Sequence, residues 1–347
     1  MDTLFPFTST RPVTAIRLGI LTLGEKWDLL LPGGRPSGIP DNIVPNPALA
    51  TLIQKEQTDM AAADASLSSA TPATATRLSA AALTRILPQA QRLVYPWQIF
   101  QFNDRAIRDD FELLTRGRQS APIPPSIQTV SPESIFIEEG ATLSHSILNA
   151  STGPIYIGRN TTIMEGSLIR GPLALCEGAV IKMGTKIYGA TTVGPYSTVG
   201  GELKNSVLFG YSNKGHDGYL GDSVIGAWCN LGAGTSNSNL KNNAGEVQVW
   251  NAGQYISAGL KCGLLMGDYS RAAINTSFNT GTVVGVCCNV YGAGLMPKYI
   301  PDFSWGVEYG PKYVFDKALQ DIANWKKLKN QSLTDAEIQT LKHIFGK

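Results

Sequence analysis

From Ile157 onward every sixth residue is aliphatic: Ile157, Ile163, Ile169, Leu175, Ile181, Ile187, Val193 and Val199. Four positions after each of these sit Thr161, Ser167, Leu173, Ala179, Thr185, Thr191, Ser197 and Leu203, which are mostly small. The same period returns at Met266, Ala272, Phe278, Val284, Val290 and Met296, and Ile225 and Leu231 are also six apart. A period of six is neither the 3.6 of a helix nor the 2 of a half-buried strand. It describes short flat segments joined by corners, each segment sending one large side chain inward and each corner taking a small residue. Stacked coils of this kind satisfy one another's backbone groups at a strand spacing of about 4.8 Å. The spacing therefore predicts a parallel β-helix over residues 132–300, interrupted between Leu203 and Tyr219 and again around Asn237 to Gly253. A β-sandwich would require the period to be an accident.

The flanks read differently. Residues 1–118 are mixed, with Pro-Gly punctuation from Leu31 to Pro36. The stretch from Met60 to Ala82 is rich in Ala, Ser and Thr and contains Pro72, so it reads as a poor helix or a mobile excursion. From Tyr95 to Leu114 the apolar residues Ile99, Phe100, Phe102, Ile107, Phe111 and Leu114 run into helical spacing, as in a docking segment. Residues 119–131, with Pro122, Pro124 and Pro125, form a linker. The tail, residues 301–347, is helical: Val314, Leu319, Ile322, Ala323 and Trp325 give one apolar face, and Thr334 to Glu337 has the pattern of a capping box. Such a tail suits the closing of a solenoid end.

Composition narrows the partners. Only 16% of residues are charged while 36 of 347 are Gly, which fits a turn-rich stacked β architecture better than a helical bundle. The net charge of +2 offers no basic excess for nucleic acid. No run approaches 18 apolar residues, so no membrane helix is expected, and Thr8 to Arg11 interrupt any secretory signal. The five cysteines include no Cys-x-x-Cys pair, which suggests neither a disulfide framework nor a zinc site. They read as buried thiols in a reducing cytoplasm.

Of the three histidines, His343 reads as a surface residue of the terminal helix and His145 as structural in an early coil. His216 lies in Gly210-Tyr211-Ser212-Asn213-Lys214-Gly215-His216-Asp217-Gly218-Tyr219-Leu220-Gly221-Asp222, a polar segment that breaks the hexad register. A break in a strict repeat is where a binding loop is expected. The hexads are similar to those of the hexapeptide-repeat acyltransferases, which implies a left-handed β-helix of triangular section with three hexads per coil. That hand is an exception to the right-handed crossover rule.

From Glu202 through His216, Tyr219-Leu220-Gly221-Asp222 and Asn230-Leu231-Gly232-Ala233-Gly234-Thr235 to Asn239, the sequence resembles the acetyltransferase half of the bifunctional N-acetylglucosamine-1-phosphate uridylyltransferase/glucosamine-1-phosphate acetyltransferases. The resemblance implies that His216 is a general base taking a proton from a sugar amine. It implies that Lys204 and Tyr219 hold the sugar phosphate, that Asn230 and Asn239 bind hydroxyls or orient the site, and that backbone N–H groups near Ala233 meet the acyl-CoA arm or the oxyanion. Acetyl-CoA would be the co-substrate, and the trimers of related enzymes imply a homotrimer here. Leu240 stands where the family has Tyr, and Leu240 to Trp250 is an extension unlike it.

Leu4-Phe5-Pro6-Phe7-Thr8-Ser9-Thr10-Arg11-Pro12-Val13 resembles the sugar nucleotidyltransferase stretch Leu-x-Pro-Leu-Thr followed by Pro-Lys, with Val13 in place of Lys. The phosphate-cradling Gly-rich loop would precede Leu4. The region 1–118 thus reads as a reduced, α/β nucleotidyltransferase-like relative. Thr10-Arg11-Pro12, Gly19 to Thr22, Glu25-Lys26-Trp27 and Leu148 to Ile155 are similar to a bacterial group of nucleotidyltransferase–acyltransferase fusions described as glucose-1-phosphate thymidylyltransferase-like. Three functions follow as expectations: acyl transfer to an amino-sugar phosphate or sugar nucleotide, with no metal; Mg²⁺-dependent nucleotidyl transfer by residues 1–118; or a non-catalytic scaffold that binds sugar nucleotides.

Overall fold

The computed structural model describes residues 3–65, 78–307 and 311–346. Part of the Ala/Ser/Thr-rich stretch, residues 66–77, lies outside the described residues. Contact density divides the chain into two compact units. One holds residues 12–16 and 21–94, and the other holds residues 1–11, 17–20 and 95–347.

The hexads close into a three-sided parallel coil. Its first face is a nine-stranded sheet from Ile135–Ile137 to Tyr299–Ile300, and its second an eight-stranded sheet from Thr142–Leu143 to Asn289–Val290. The third face is a six-stranded sheet from Gln128–Val130 to Tyr219–Gly221, followed by a three-stranded one that starts at Ser236–Asn237. Leu173 pairs with Ile155 on one side and Thr191 on the other, each eighteen residues away, so three hexads make one turn. The eight aliphatics from Ile157 to Val199 all point inward and are no more than 3% exposed. Burying each contributes roughly 1.5–3 kcal/mol. Corners need tight backbone, and one corner column places Tyr196, Tyr211, Trp228, Tyr269 and Phe303 in the left-handed region at φ of 55–61°. Tyr196, Tyr211 and Trp228 stack there, with ring centroids 5.1 and 4.3 Å apart.

The two interruptions have different causes. Between Leu203 and Tyr219 the coil does not leave its path; its turns shorten. Thr198 pairs with Asn213, fifteen residues on, and Asn213 with Asn230, seventeen on. Losing residues at corners shifts the hexad frame without breaking the sheets. The second interruption is an insertion. Ser236 pairs with Ser277, forty-one residues on, and the extra chain carries an antiparallel hairpin of Gln248–Asn251 with Gln254–Ser257. Trp250 of this hairpin stacks on Tyr299 at 3.7 Å.

The smaller unit packs helices α1 (Leu23–Leu30), α2 (Pro47–Ala65) and α3 (Ala80–Ile86) around Trp27, Ile43, Ile53 and Ile86. Thr22 and Glu25 cap α1 reciprocally. In the larger unit helix α4 (Gln98–Thr115) docks on the coil through Ile99, Phe100 and Ile107. It also docks through a buried Asn103, whose Nδ2 donates to the Ala190 carbonyl at 2.9 Å and whose Oδ1 accepts from the Gly19 N–H at 2.8 Å. Helices α5 (Phe315–Lys327) and α6 (Asp335–Phe345) pack on Tyr269, Val286, Cys287 and Phe303. Thr334 caps α6 with Glu337, as the capping pattern indicates. Val314 is 66% exposed, and the buried face of α5 instead includes Lys326. Lys326 is accommodated because its Nζ reaches Glu337 Oε1 at 2.6 Å, an oxygen that also accepts from Tyr269 OH at 2.9 Å.

Candidate functional site

The six residues singled out in the sequence fall on three successive coils and around two of their corners. His216 lies at the corner between the second-face strand Asn213–Lys214 and the third-face strand Tyr219–Gly221. Its side chain is exposed and makes no hydrogen bond among the described residues. On the next coil the Gly234 N–H donates to the Asp217 carbonyl at 3.0 Å, which places Ala233 at the same corner. The N–H groups of Gly232, Gly234 and Thr235 are engaged by the carbonyls of Ala272, Asp217 and Gly232. Among these four neighbours the Ala233 N–H alone has no acceptor within the described residues. Asn230 leads into this corner on the second face, and its Oδ1 accepts from Asn213 Nδ2 at 2.8 Å.

Lys204, Tyr219 and Asn239 meet at the far end of the third face, and what joins them is Asp222. This carboxylate is 3% exposed and accepts from Lys204 Nζ at 3.4 Å, from Asn205 Nδ2 at 2.7 Å and from Asn239 Nδ2. Asn239 Nδ2 also donates to Tyr219 OH at 3.1 Å. The Tyr219 ring lies flat over Gly221, where a Cβ would stand 2.2 Å from the phenol oxygen. Only glycine allows Tyr219 to span the face from the His216 corner to Asp222. Burial first, then the charge of Asp222, pushes the Tyr219 phenol up, so it stays a neutral donor at neutral pH. Tyr188 donates to Glu202 Oε1 at 2.6 Å, and that hydrogen bond, helped by burial, pushes its phenol up to about 12. Beside this end a groove of about 360 Å³ is lined by Lys186, Tyr188, Glu202, Arg170, Ile147 and Leu168, among others.

Sequence reasoning missed two members of this region. Asp222 stood inside the motif without a role, since nothing in the sequence shows that Lys204, Asn205 and Asn239 converge on it. The break in the hexad register places Lys214 in a loop, yet it points into the coil and is 2% exposed. Burial pushes its ammonium down to about 8, with the Asp217 carboxylate pulling weakly the other way. His343 and His145 are both exposed. All five cysteines are buried and none is in a disulfide among the described residues, and burial pushes the thiol of Cys288 up to about 12.

The N-terminal segment with the nucleotidyltransferase-like pattern is packed on the coil. Leu4 and Phe7 are buried, and the Phe7 ring lies 5.2 Å from that of Phe209. Thr10 Oγ1 and the Arg11 guanidinium both engage Asp268, whose other oxygen accepts from the Ala227 N–H at 2.7 Å. Arg11 also lies over the Phe209 ring, 4.9 Å from its centroid.

Residues 1–39 and 37–119 match the family described as sugar nucleotidyl transferase. The bifunctional sugar-1-phosphate nucleotidylyltransferase/acetyltransferase of Sulfurisphaera tokodaii is 36% identical over 98 residues, 28% of this chain and 24% of that protein. The bifunctional protein GlmU of Methanocaldococcus jannaschii is 30% identical over 130 residues, 38% of this chain and 30% of that protein. That of Synechococcus elongatus is 23% identical over 229 residues, 59% of this chain and 47% of that protein. The chain thus spans about a quarter to a half of the length of the curated relatives it matches. Fold and matches together define the class: a hexapeptide-repeat β-helix joined to a region related to the sugar nucleotidyl transferases. Within it the chain is similar to the bifunctional nucleotidyltransferase/acetyltransferase proteins.

Proposed function

We propose that this chain is an acyl-CoA-dependent transferase acting on the amine of an amino-sugar phosphate or sugar nucleotide. One observation carries the reading: the exposed His216 imidazole, without a hydrogen-bond partner among the described residues, shares a corner with the Ala233 N–H, and the Tyr219 ring links that corner to the Lys204–Asp222–Asn239 cluster. A neutral imidazole has the right basicity to take a proton from an amine as it attacks the thioester carbonyl. The new C–N bond forms, the Ala233 N–H faces the developing oxyanion, and the C–S bond breaks. The departing CoA thiolate takes up the proton. Lys204, Tyr219 and Asn239 hold the phosphate and hydroxyls of the sugar, and Asn230 orients the corner.

The test is acyl transfer from acetyl-CoA to a panel of amino-sugar 1-phosphates, followed by release of free thiol. No turnover on any amine by the folded protein would remove the reading. Asp222→Asn keeps the shape of the cluster and loses the charge that fixes Lys204. It should raise KM for the sugar phosphate about tenfold, with kcat little changed, since one charge-assisted contact is worth about 1.5 kcal/mol or more. A KM within twofold of the parent would mean that Asp222 does not hold the phosphate-binding group.

A homotrimer fits the same reading. Ile147 and Leu168, paired on neighbouring coils, stand 38% and 48% exposed on the outside of the third face, an apolar pair that neighbouring copies would cover. Leu168→Asp should give a monomer in sedimentation equilibrium; an assembly unchanged by it would exclude this face as the interface. No described helix is long and apolar enough to cross a membrane, and a cytoplasmic setting suits acetyl-CoA chemistry. The match of residues 1–119 favours a second reading, Mg²⁺-dependent nucleotidyl transfer. Against it, Val13 stands where the nucleotidyltransferase stretch has Lys. Sugar-nucleotide formation dependent on Mg²⁺ would restore it.

A further inference from the structure

Of the eight inward positions on the second face, from Leu143 to Val290, seven are apolar and the fifth is Lys214, paired with Val199 on the coil before. An amine in the interior of a solenoid is costly unless its protons are taken up. Here Nζ donates to the Gly200 carbonyl at 3.1 Å and to the His216 carbonyl at 2.6 Å.

The other coils show what this amine replaces. Two residues before the third-face inward side chain, most coils carry a Ser or Thr whose hydroxyl reaches the carbonyl at the end of the second face. Ser146 reaches Met164 at 3.0 Å, Ser167 reaches Lys182 at 3.1 Å, and Thr235 reaches Ala273 at 3.1 Å. On the two coils at His216 that position is Gly201 and Gly218. A Cβ on Gly201 would stand 2.8 Å from the His216 carbonyl oxygen, and one on Gly218 would stand 2.1 Å from the Thr235 carbonyl oxygen. No hydroxyl can be carried there while the His216 corner lies where it does. The corner has exchanged its hydroxyls for close approach, and from inside Lys214 reaches the Gly200 carbonyl, which ends the second face on the coil before, and the His216 carbonyl of the corner itself.

We propose that Lys214 is a positioning residue that fixes the His216 corner by holding the His216 carbonyl from the core. This rests on the reading of His216 as the base, but its test does not depend on turnover alone. Lys214→Met keeps the length and removes the donor; Lys214→Gln keeps a donor on a shorter arm. The flanking amides report on the corner, because the Glu202 N–H donates to the Gly218 carbonyl at 3.2 Å and the Gly234 N–H to the Asp217 carbonyl at 3.0 Å. In Lys214→Met, hydrogen exchange at Glu202 and Gly234 should speed up about tenfold or more, with Gly184, three coils from Gly234 at the same corner, unchanged. kcat should fall about tenfold or more, with KM for acetyl-CoA within twofold, and Lys214→Gln should lie between the two. Local exchange that speeds up in a protein without acyl transfer would uphold the positioning role and remove only the reading of the reaction. Unchanged exchange and kcat would overturn the proposal. So would exchange that rises equally at Gly184, or a failure of both variants to fold, since either would make Lys214 a general support of the coil.

Discussion

His216→Ala should lower acyl transfer from acetyl-CoA by about 10²-fold or more while leaving the protein folded. General-base catalysis contributes about 10²–10⁴-fold. The side chain is exposed and has no partner among the described residues, so its removal leaves neither a cavity nor an orphaned donor. A surface truncation of that kind usually shifts stability by less than about 0.5 kcal/mol. The loss should therefore fall on kcat, with KM for the sugar phosphate nearly unchanged, because Lys204, Tyr219 and Asn239 stay tied to Asp222 or to each other. Steady-state kinetics beside a thermal melt separate the two quantities. A loss below tenfold in a folded variant would assign the proton transfer to another group.

Ile181→Ala should destabilise the coil by about 3 kcal/mol, within the range of about 2–5 for a large-to-small change in a close-packed core. Ile181 is 0% exposed, with Ile163 on the rung before and Val199 on the rung after. Neither neighbour can close the gap, because each is held at its height by backbone pairing to the next coil. Since rungs touch only their neighbours, the damage should first open the coils around residues 160–200. Met183, two residues away at the corner, is 69% exposed, and Met183→Ala should stay within about 0.5 kcal/mol. Denaturant titration of the two variants decides: a cost below 1 kcal/mol for Ile181→Ala would mean that the inward ladder does not carry the fold.

Much of the coil was legible because its geometry is local and repeats. The inward set from Ile157 to Val199 and that from Met266 to Met296 are the observed core. The period failed where the turns change length. Thr198 to Asn213 is a turn of fifteen residues, so a reader counting in sixes from Val199 meets Asn205, Tyr211 and Asp217, infers a loop, and passes over Lys214, which takes the inward place. The cap at Thr334 announces the terminal helix, while the apolar spacing puts Val314 on the buried face because no pattern announces that Lys326 can be buried against Glu337. The pattern at Leu4 to Val13 marks the resemblance to nucleotidyl transferases, while nothing in it says that Thr10 and Arg11 close on Asp268, more than 250 residues away.

The candidate site divides along the same line. His216, Lys204, Tyr219, Asn230, Ala233 and Asn239 could be named from motif order, since order along the chain is what a sequence records. That Asp222 gathers Lys204, Asn205 and Asn239, that the Tyr219 ring crosses Gly221, and that Lys214 reaches the His216 carbonyl from within were decided only by tertiary structure. Those contacts join residues on neighbouring coils, and which residues become neighbours depends on the exact length of each turn. The hexad pattern fixes that one large side chain points inward per segment, because the hydrophobic effect acts on each segment alone. It cannot fix the rise and register of a turn whose corners have lost a residue, and it is that register which brings a buried amine beneath an exposed imidazole.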